Sequence, residues 1–181
     1  APDESRTRLI TLETLLTTIL DYSQTIEFAI ETKHPVRYGK YVERELFDVL
    51  ERYGLTTPQN GNEFARARVM SFSKMAVQRF KKLSPLTEVV YLAARLPRRY
   101  RDGSLPEGVS ISGVDVHLLK EDPDYVARAQ SCGHQVHVWT VDDIPDVDFC
   151  LELGVDAIIS NHPGEVIARV EKWSKHSSRE V

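Results

Sequence analysis

The sequence predicts an α/β fold built on a parallel sheet and, within that class, a (β/α)8-type barrel. Three observations carry this. About six strand-like runs alternate with amphipathic helical segments, with no internal repeat and no low-complexity stretch, and such alternation calls for helical crossovers between parallel strands. Gln135–Val141 is apolar on both faces, as a strand covered by helices on both sides would be. No glycine-rich phosphate loop follows any strand, which disfavours the doubly wound dinucleotide-binding alternative.

The elements follow in order. Thr11 precedes a helix with Leu12, Leu15, Leu16, Ile19 and Leu20 at helical spacing and Glu13 in the favoured first turn. Ile26–Lys33 is a short strand ending in charges. A second helix runs from about Lys40 to Tyr53 with Val42, Leu46, Leu50 and Tyr53 on one face, and Gly54 is placed to end it in the left-handed conformation. Arg68–Phe72 is the next strand, and Ser73 caps a helix carrying Ala76, Val77, Phe80 and Leu83. Thr87–Ala93 is rich in strand-forming residues.

Leu96–Gly108, with Pro97, Gly103 and Pro106 among arginines, is expected to be loop. Ile111–Val116 is a weak strand. Asp122-Pro123-Asp124 then starts a helix that Gly133 stops. Gln135–Val141 is the strongest strand. Val147–Leu153 forms a short helix closed by Gly154, Asp156–Ser160 a strand, and Pro163 opens a last helix with Val166, Ile167, Val170 and Trp173 along one side.

Composition narrows the function classes. A chain of 181 residues suits one domain, here taken as 1–181. With 23 Lys and Arg against 27 Asp and Glu, the net charge of −4 gives no footprint for nucleic acid or anionic lipid, so no nucleic-acid partner is expected. No apolar run approaches the ~20 residues of a membrane helix, so no transmembrane segment is expected. Cys132 and Cys150 are too few for a disulfide scaffold and match no metal spacing. The chain opens Ala-Pro-Asp-Glu-Ser, without initiating Met or targeting stretch. A processed, trimmed or truncated terminus is expected from this, so the address is not readable from it, and a cytoplasmic location is an expectation only.

In a barrel the chemistry sits at the carboxyl ends of the strands. Those ends collect Glu31, Lys33 and His34; Ser71, Phe72 and Ser73; Tyr91; Asp115 and His117; Trp139 and Thr140; and Ser160, Asn161 and His162. Glu31 and Lys33 are two apart, on one side of a strand. They read either as a carboxylate metal ligand beside a cation for an anionic oxygen or as an ordinary salt-bridged pair. Trp139 is a substrate-facing wall or core. No histidine pair has the helical i, i+4 spacing of a metal site, and His34 and His162 are the two nearest the mouth. Arg95, Arg98, Arg99 and Arg101 form a basic loop cluster, either solvated or attractive to an anionic substrate.

Taken together, Thr11-Leu12-Glu13, IEFAIETKHP around Glu31, VMSFS around Phe72, HVWTVDD around Trp139 and GVDAIISNHP near the end resemble the glycerophosphodiester phosphodiesterase family, in the family's order, from about residue 9 to residue 170. The resemblance implies a TIM barrel of the phosphodiesterase superfamily. The implied activity is hydrolysis of a small-molecule glycerophosphodiester to glycerol 3-phosphate and an alcohol, with Mg²⁺ or Ca²⁺. It implies that Glu31 is the last of three acidic metal ligands, that Lys33 meets the substrate phosphate, and that Phe72 and Trp139 line the pocket.

Two departures stand out. Asn161 occupies a position where the family often has Asp. The family's His-Arg-Gly, Glu-Asn-Thr, Glu-x-Asp and His-Asp segments, with its general acid–base histidines, are absent before Glu31, so no catalytic residue is assigned. Length agrees: a barrel of this type needs roughly 250 residues, roughly 70 more than here, and a six-stranded arc leaves two open edges. The expectation is an incomplete barrel of about six βα units, lacking the first two strands and an N-terminal segment of the same protein, and inactive by itself. The competing functions are a non-catalytic phosphate- or metabolite-binding barrel, a lysophospholipase D-type phosphodiesterase, and a Schiff-base enzyme using Lys33.

Overall fold

The structure is a computed structural model and describes residues 9–59 and 61–177. Six strands, β1 (Phe28–Glu31), β2 (Ala67–Ser71), β3 (Glu88–Ala93), β4 (Ile111–Asp115), β5 (Gln135–Trp139) and β6 (Ala157–Ile158), lie side by side in chain order. Every pairing is parallel. Among the described residues β1 and β6 each pair on one side only.

The sheet is curled. β2 and β5 are three strand spacings apart, about 14 Å in a flat sheet, yet the rings of Phe72 and Trp139, at their carboxyl ends, meet with centroids 5.4 Å apart. The alternation of side chains along each strand separates the two faces. Met70, Val90, Leu92, Ile111 and Trp139 pack together on the concave side. Phe28, Ala67, Val69 and Val89 face outward under Leu46, Leu50, Val77 and Phe80, from α2 (Tyr41–Arg52) and α3 (Lys74–Leu83). Val114, Val136 and Val138 face outward under Leu119, Tyr125, Val126, Val147, Cys150 and Val166. These come from α4 (Val116–Glu121), α5 (Tyr125–Ser131), α6 (Ile144–Leu153) and α7 (Pro163–Ser177). Position 113, on the concave side, has no room for a side chain because Leu92 crosses it: a Cβ there would stand 2.5 Å from Leu92 Cδ2.

The helix starts obey the capping chemistry legible in the sequence. Thr11 Oγ1 accepts from Thr14 N at 3.2 Å to open α1 (Leu12–Tyr22), and Ser73 Oγ accepts from Ala76 N at 3.2 Å to open α3. Gly54 follows α2 with φ +67°, as expected of a stop.

Several boundaries differ: β5 ends at Trp139, two residues early, and β6 spans only Ala157–Ile158. β1 ends at Glu31, two residues early: Thr32 N makes the last ladder bond, to Met70 O at 2.8 Å, and the Thr32 carbonyl accepts from Ser71 Oγ at 2.7 Å. α4 was not expected. Asp115 ends β4 and at once caps a new helix, its Oδ1 accepting from His117 N at 2.8 Å. α6 begins at Ile144, three residues early, with Pro145 in its first turn, where a missing N–H costs nothing. The arginine-rich loop contains one 3₁₀ turn, Arg98–Tyr100. Among the described residues no helix is long and apolar enough to cross a membrane.

Candidate functional site

The carboxyl ends of the strands carry the site residues the sequence singled out. Glu31 is the last residue of β1, beside Met70 of β2. With Lys33 it borders a cavity of about 610 Å³ whose apolar lining includes Leu12, Ile30, Val42 and Leu46. Both side chains are exposed, and among the described residues neither makes an ion pair or a side-chain hydrogen bond. The salt-bridged alternative is therefore not the one adopted.

Phe72 and Trp139 meet edge to face, at an interplanar angle of 81°, the geometry aromatic quadrupoles favour. Phe72 stays 47% exposed. Trp139 Nε1 is buried without a hydrogen-bond partner, a donor left available in a concave apolar setting. The Trp139–Thr140 peptide bond is cis. Met70, the lateral neighbour of Glu31, packs in the same concave group as Trp139, whereas the cavity beside Glu31 and Lys33 opens toward α2 and is not lined by Phe72 or Trp139.

Asn161 is held by Asp142. Its backbone N and Nδ2 donate to the two Asp142 oxygens at 2.8 and 2.9 Å, and Ser160 Oγ donates at 2.9 Å. These bonds, from the Asn161 side chain first, hold the Asp142 carboxyl below its ordinary range. A carboxylate thus stands beside Asn161, at Asp142. His162 is exposed, with its backbone N donating to Ser160 Oγ. Of the arginine cluster, Arg95 and Arg101 line a second rim cavity of about 630 Å³ with Asp115 and His117, while Arg99 lies over the Tyr100 ring.

A divalent ion would find one suitable ligand here. Glu31 offers a free carboxylate, the hard oxygen donor Mg²⁺ and Ca²⁺ prefer. No group of three or more His, Cys, Asp or Glu that could hold a metal occurs among the described residues.

Sequence reasoning missed Glu43 and Arg79. Glu43, on α2, is 1% exposed. It accepts from Arg79 of α3 through Nε at 3.3 Å and Nη2 at 3.1 Å. His34 Nε2 stands 2.7 Å from Glu43 Oε1 without hydrogen-bond alignment. The signal was present: Glu43 is three and seven residues before Leu46 and Leu50, on the buried stripe of the helix.

Comparison with known proteins fits this geometry. Over 174 residues the chain is 41% identical to a Mycobacterium tuberculosis protein named "Probable glycerophosphodiester phosphodiesterase 1", covering 94% of this chain and 62% of that protein. The crystal structure of a glycerophosphodiester phosphodiesterase from Parabacteroides distasonis is similar with a TM-score of 0.76 and 25% identity, over 91% of this chain and 65% of that one. A phosphodiesterase from Oleispira antarctica, solved with the product sn-glycerol-3-phosphate, shares the fold with a TM-score of 0.72 and 17% identity, over 89% of this chain and 61% of that one. The chain therefore spans less than two thirds of each of these relatives, which accords with a six-stranded arc of a larger barrel. Residues 1–165 match the Glycerophosphoryl diester phosphodiesterase family, and the chain belongs to it.

Proposed function

We propose that this chain forms part of a barrel enzyme that hydrolyses glycerophosphodiesters to glycerol 3-phosphate and an alcohol, the barrel being completed by residues outside it. The observation that carries this is the unpaired carboxylate and ammonium of Glu31 and Lys33 at the carboxyl end of β1, in a chain of this family. In this reading the Lys33 ammonium receives a non-bridging phosphate oxygen and stabilises the charge that builds there as the ester bond breaks. Phe72 and Trp139 form the apolar wall against which the glycerol carbons pack, and Trp139 Nε1 donates to a substrate oxygen. Glu31 would be one carboxylate ligand of a divalent ion, Mg²⁺ or Ca²⁺, whose charge would polarise the phosphoryl oxygen. The general acid and base lie outside the chain, so the 181 residues alone are inactive.

The test compares the product of the complete gene with the 181-residue chain on glycerophosphocholine, following glycerol 3-phosphate release with Mg²⁺, with Ca²⁺ and with chelator. Release by the gene product only with divalent ion, and none by the chain, is expected. Hydrolysis by the chain alone would sink the division of labour, and no hydrolysis by the gene product under any condition would sink the activity.

A further inference from the structure

We propose that Glu43, Arg79 and His34 form a positioning device that fixes the segment carrying Glu31 and Lys33, an inference that rests on the roles proposed above for those two residues. Glu43 is 1% exposed on the sheet-facing side of α2, with Leu46 and Leu50. A carboxylate in that position is costly unless paired, and a buried ion pair adds little stability over an apolar side chain of the same size. Leucine would complete the stripe at lower cost, so the stability of α2 does not account for the charge.

The location does. The three groups come from α2, from α3 and from the segment leaving β1. Arg79 holds both oxygens of Glu43 through its fork at 3.3 and 3.1 Å, which fixes the carboxylate in rotation as well as in place. Glu43 Oε1 then lies 2.7 Å from His34 Nε2, whose side chain is 11% exposed. On the other side Thr32, itself buried, is tied to β2 through its N–H to Met70 O at 2.8 Å and its carbonyl to Ser71 Oγ at 2.7 Å. Of the two chain neighbours of Lys33, Thr32 is thus bonded to β2 and His34 stands against the Glu43 carboxylate of α2. The Lys33 and Glu31 side chains make no competing bond among the described residues. A segment fixed at its buried residues, with its charged ones free, is arranged to present those charges with little loss of freedom on binding.

The experiment uses the product of the complete gene and three variants: His34→Ala, which leaves the Glu43–Arg79 pair in place; His34→Gln, whose amide can still reach Glu43; and Glu43→Gln, which keeps the shape and removes the charge. Three quantities are read: Mn²⁺ affinity by calorimetry, KM and kcat on glycerophosphocholine, and the urea midpoint. Expected for His34→Ala are an unchanged midpoint, at least fivefold weaker Mn²⁺ binding and a raised KM, with recovery in His34→Gln. Glu43→Gln is expected to weaken Mn²⁺ binding in the folded protein whatever its midpoint. Unchanged Mn²⁺ affinity in folded His34→Ala and Glu43→Gln would overturn the proposal, as would a lowered midpoint being the only effect. Wild type that binds Mn²⁺ but turns nothing over would defeat the proposed activity alone, since the affinities still decide this point. Wild type that binds no Mn²⁺ would overturn both.

Discussion

His137 adds its own pH dependence to stability between pH 6.5 and about 4. It lies on the concave side of β5, paired with Gly113 and Ala157 and 7% exposed. Burial lowers its pKa from the ordinary 6.5 to about 4, the Arg68 guanidinium adding in the same direction and Asp156 opposing. Arg68 is itself fixed there by Glu88 Oε2 at 2.8 Å and by Glu27. Between pH 6.5 and about 4 the unfolded chain binds a proton on this residue that the folded one refuses, so stability rises with pH across that window and is flat above it. At about 1.4 kcal/mol per pH unit the gap corresponds to about 3 kcal/mol. Urea unfolding of wild type and His137→Gln from pH 7.5 to pH 4 isolates the effect, because the carboxylates contribute equally to both. Wild type should lose about 3 kcal/mol more than the variant over the window. Parallel profiles would refute the reasoning.

Other consequences follow from single contacts. Gly113→Ala places a methyl 2.5 Å from Leu92 Cδ2 and 2.8 Å from Val90 Cγ1, an overpacking that should cost about 1–3 kcal/mol, read as a lower Tm. Cys150 is buried and its thiol is pushed up to about 11 by burial first, so a thiol reagent should label exposed Cys132 in the native protein and Cys150 only after unfolding. Asn161→Asp would set a carboxylate against Asp142 in place of the amide now donating at 2.9 Å. Its Tm should fall below wild type at pH 7, and the deficit should shrink as pH falls and one of the two carboxyls takes a proton.

Local chemistry was readable in the sequence because it acts over a few residues. Thr11, Ser73 and Gly54 announce helix ends through bonds or dihedrals within one turn, and the alternation of strands and helices fixes a parallel sheet in chain order. Where one residue serves two elements the reading slipped: Asp115 both ends a strand and caps a helix, which concealed α4. Contacts between distant segments left only faint marks. Asp142 and Asn161 are 19 residues apart, and Arg79 is 36 from Glu43, so neither bond has a local signature. Position on a strand end put Glu31, Lys33, Phe72 and Trp139 in a wider set of candidates, and only the family resemblance picked them out of it. Their mutual arrangement required the curl that brings β2 and β5 together.

The central claim is that Glu31 serves a divalent ion in phosphodiester hydrolysis, and Glu31→Gln in the product of the complete gene tests it most directly. Glu31 is exposed and makes no side-chain bond among the described residues, so its replacement should leave the urea midpoint unchanged. The measurement is glycerol 3-phosphate release from glycerophosphocholine across a Mg²⁺ titration. The account predicts a rate lowered by a factor on the order of 10² or more, with half-maximal activity moved to higher Mg²⁺. An unchanged rate with an unchanged Mg²⁺ dependence would contradict it.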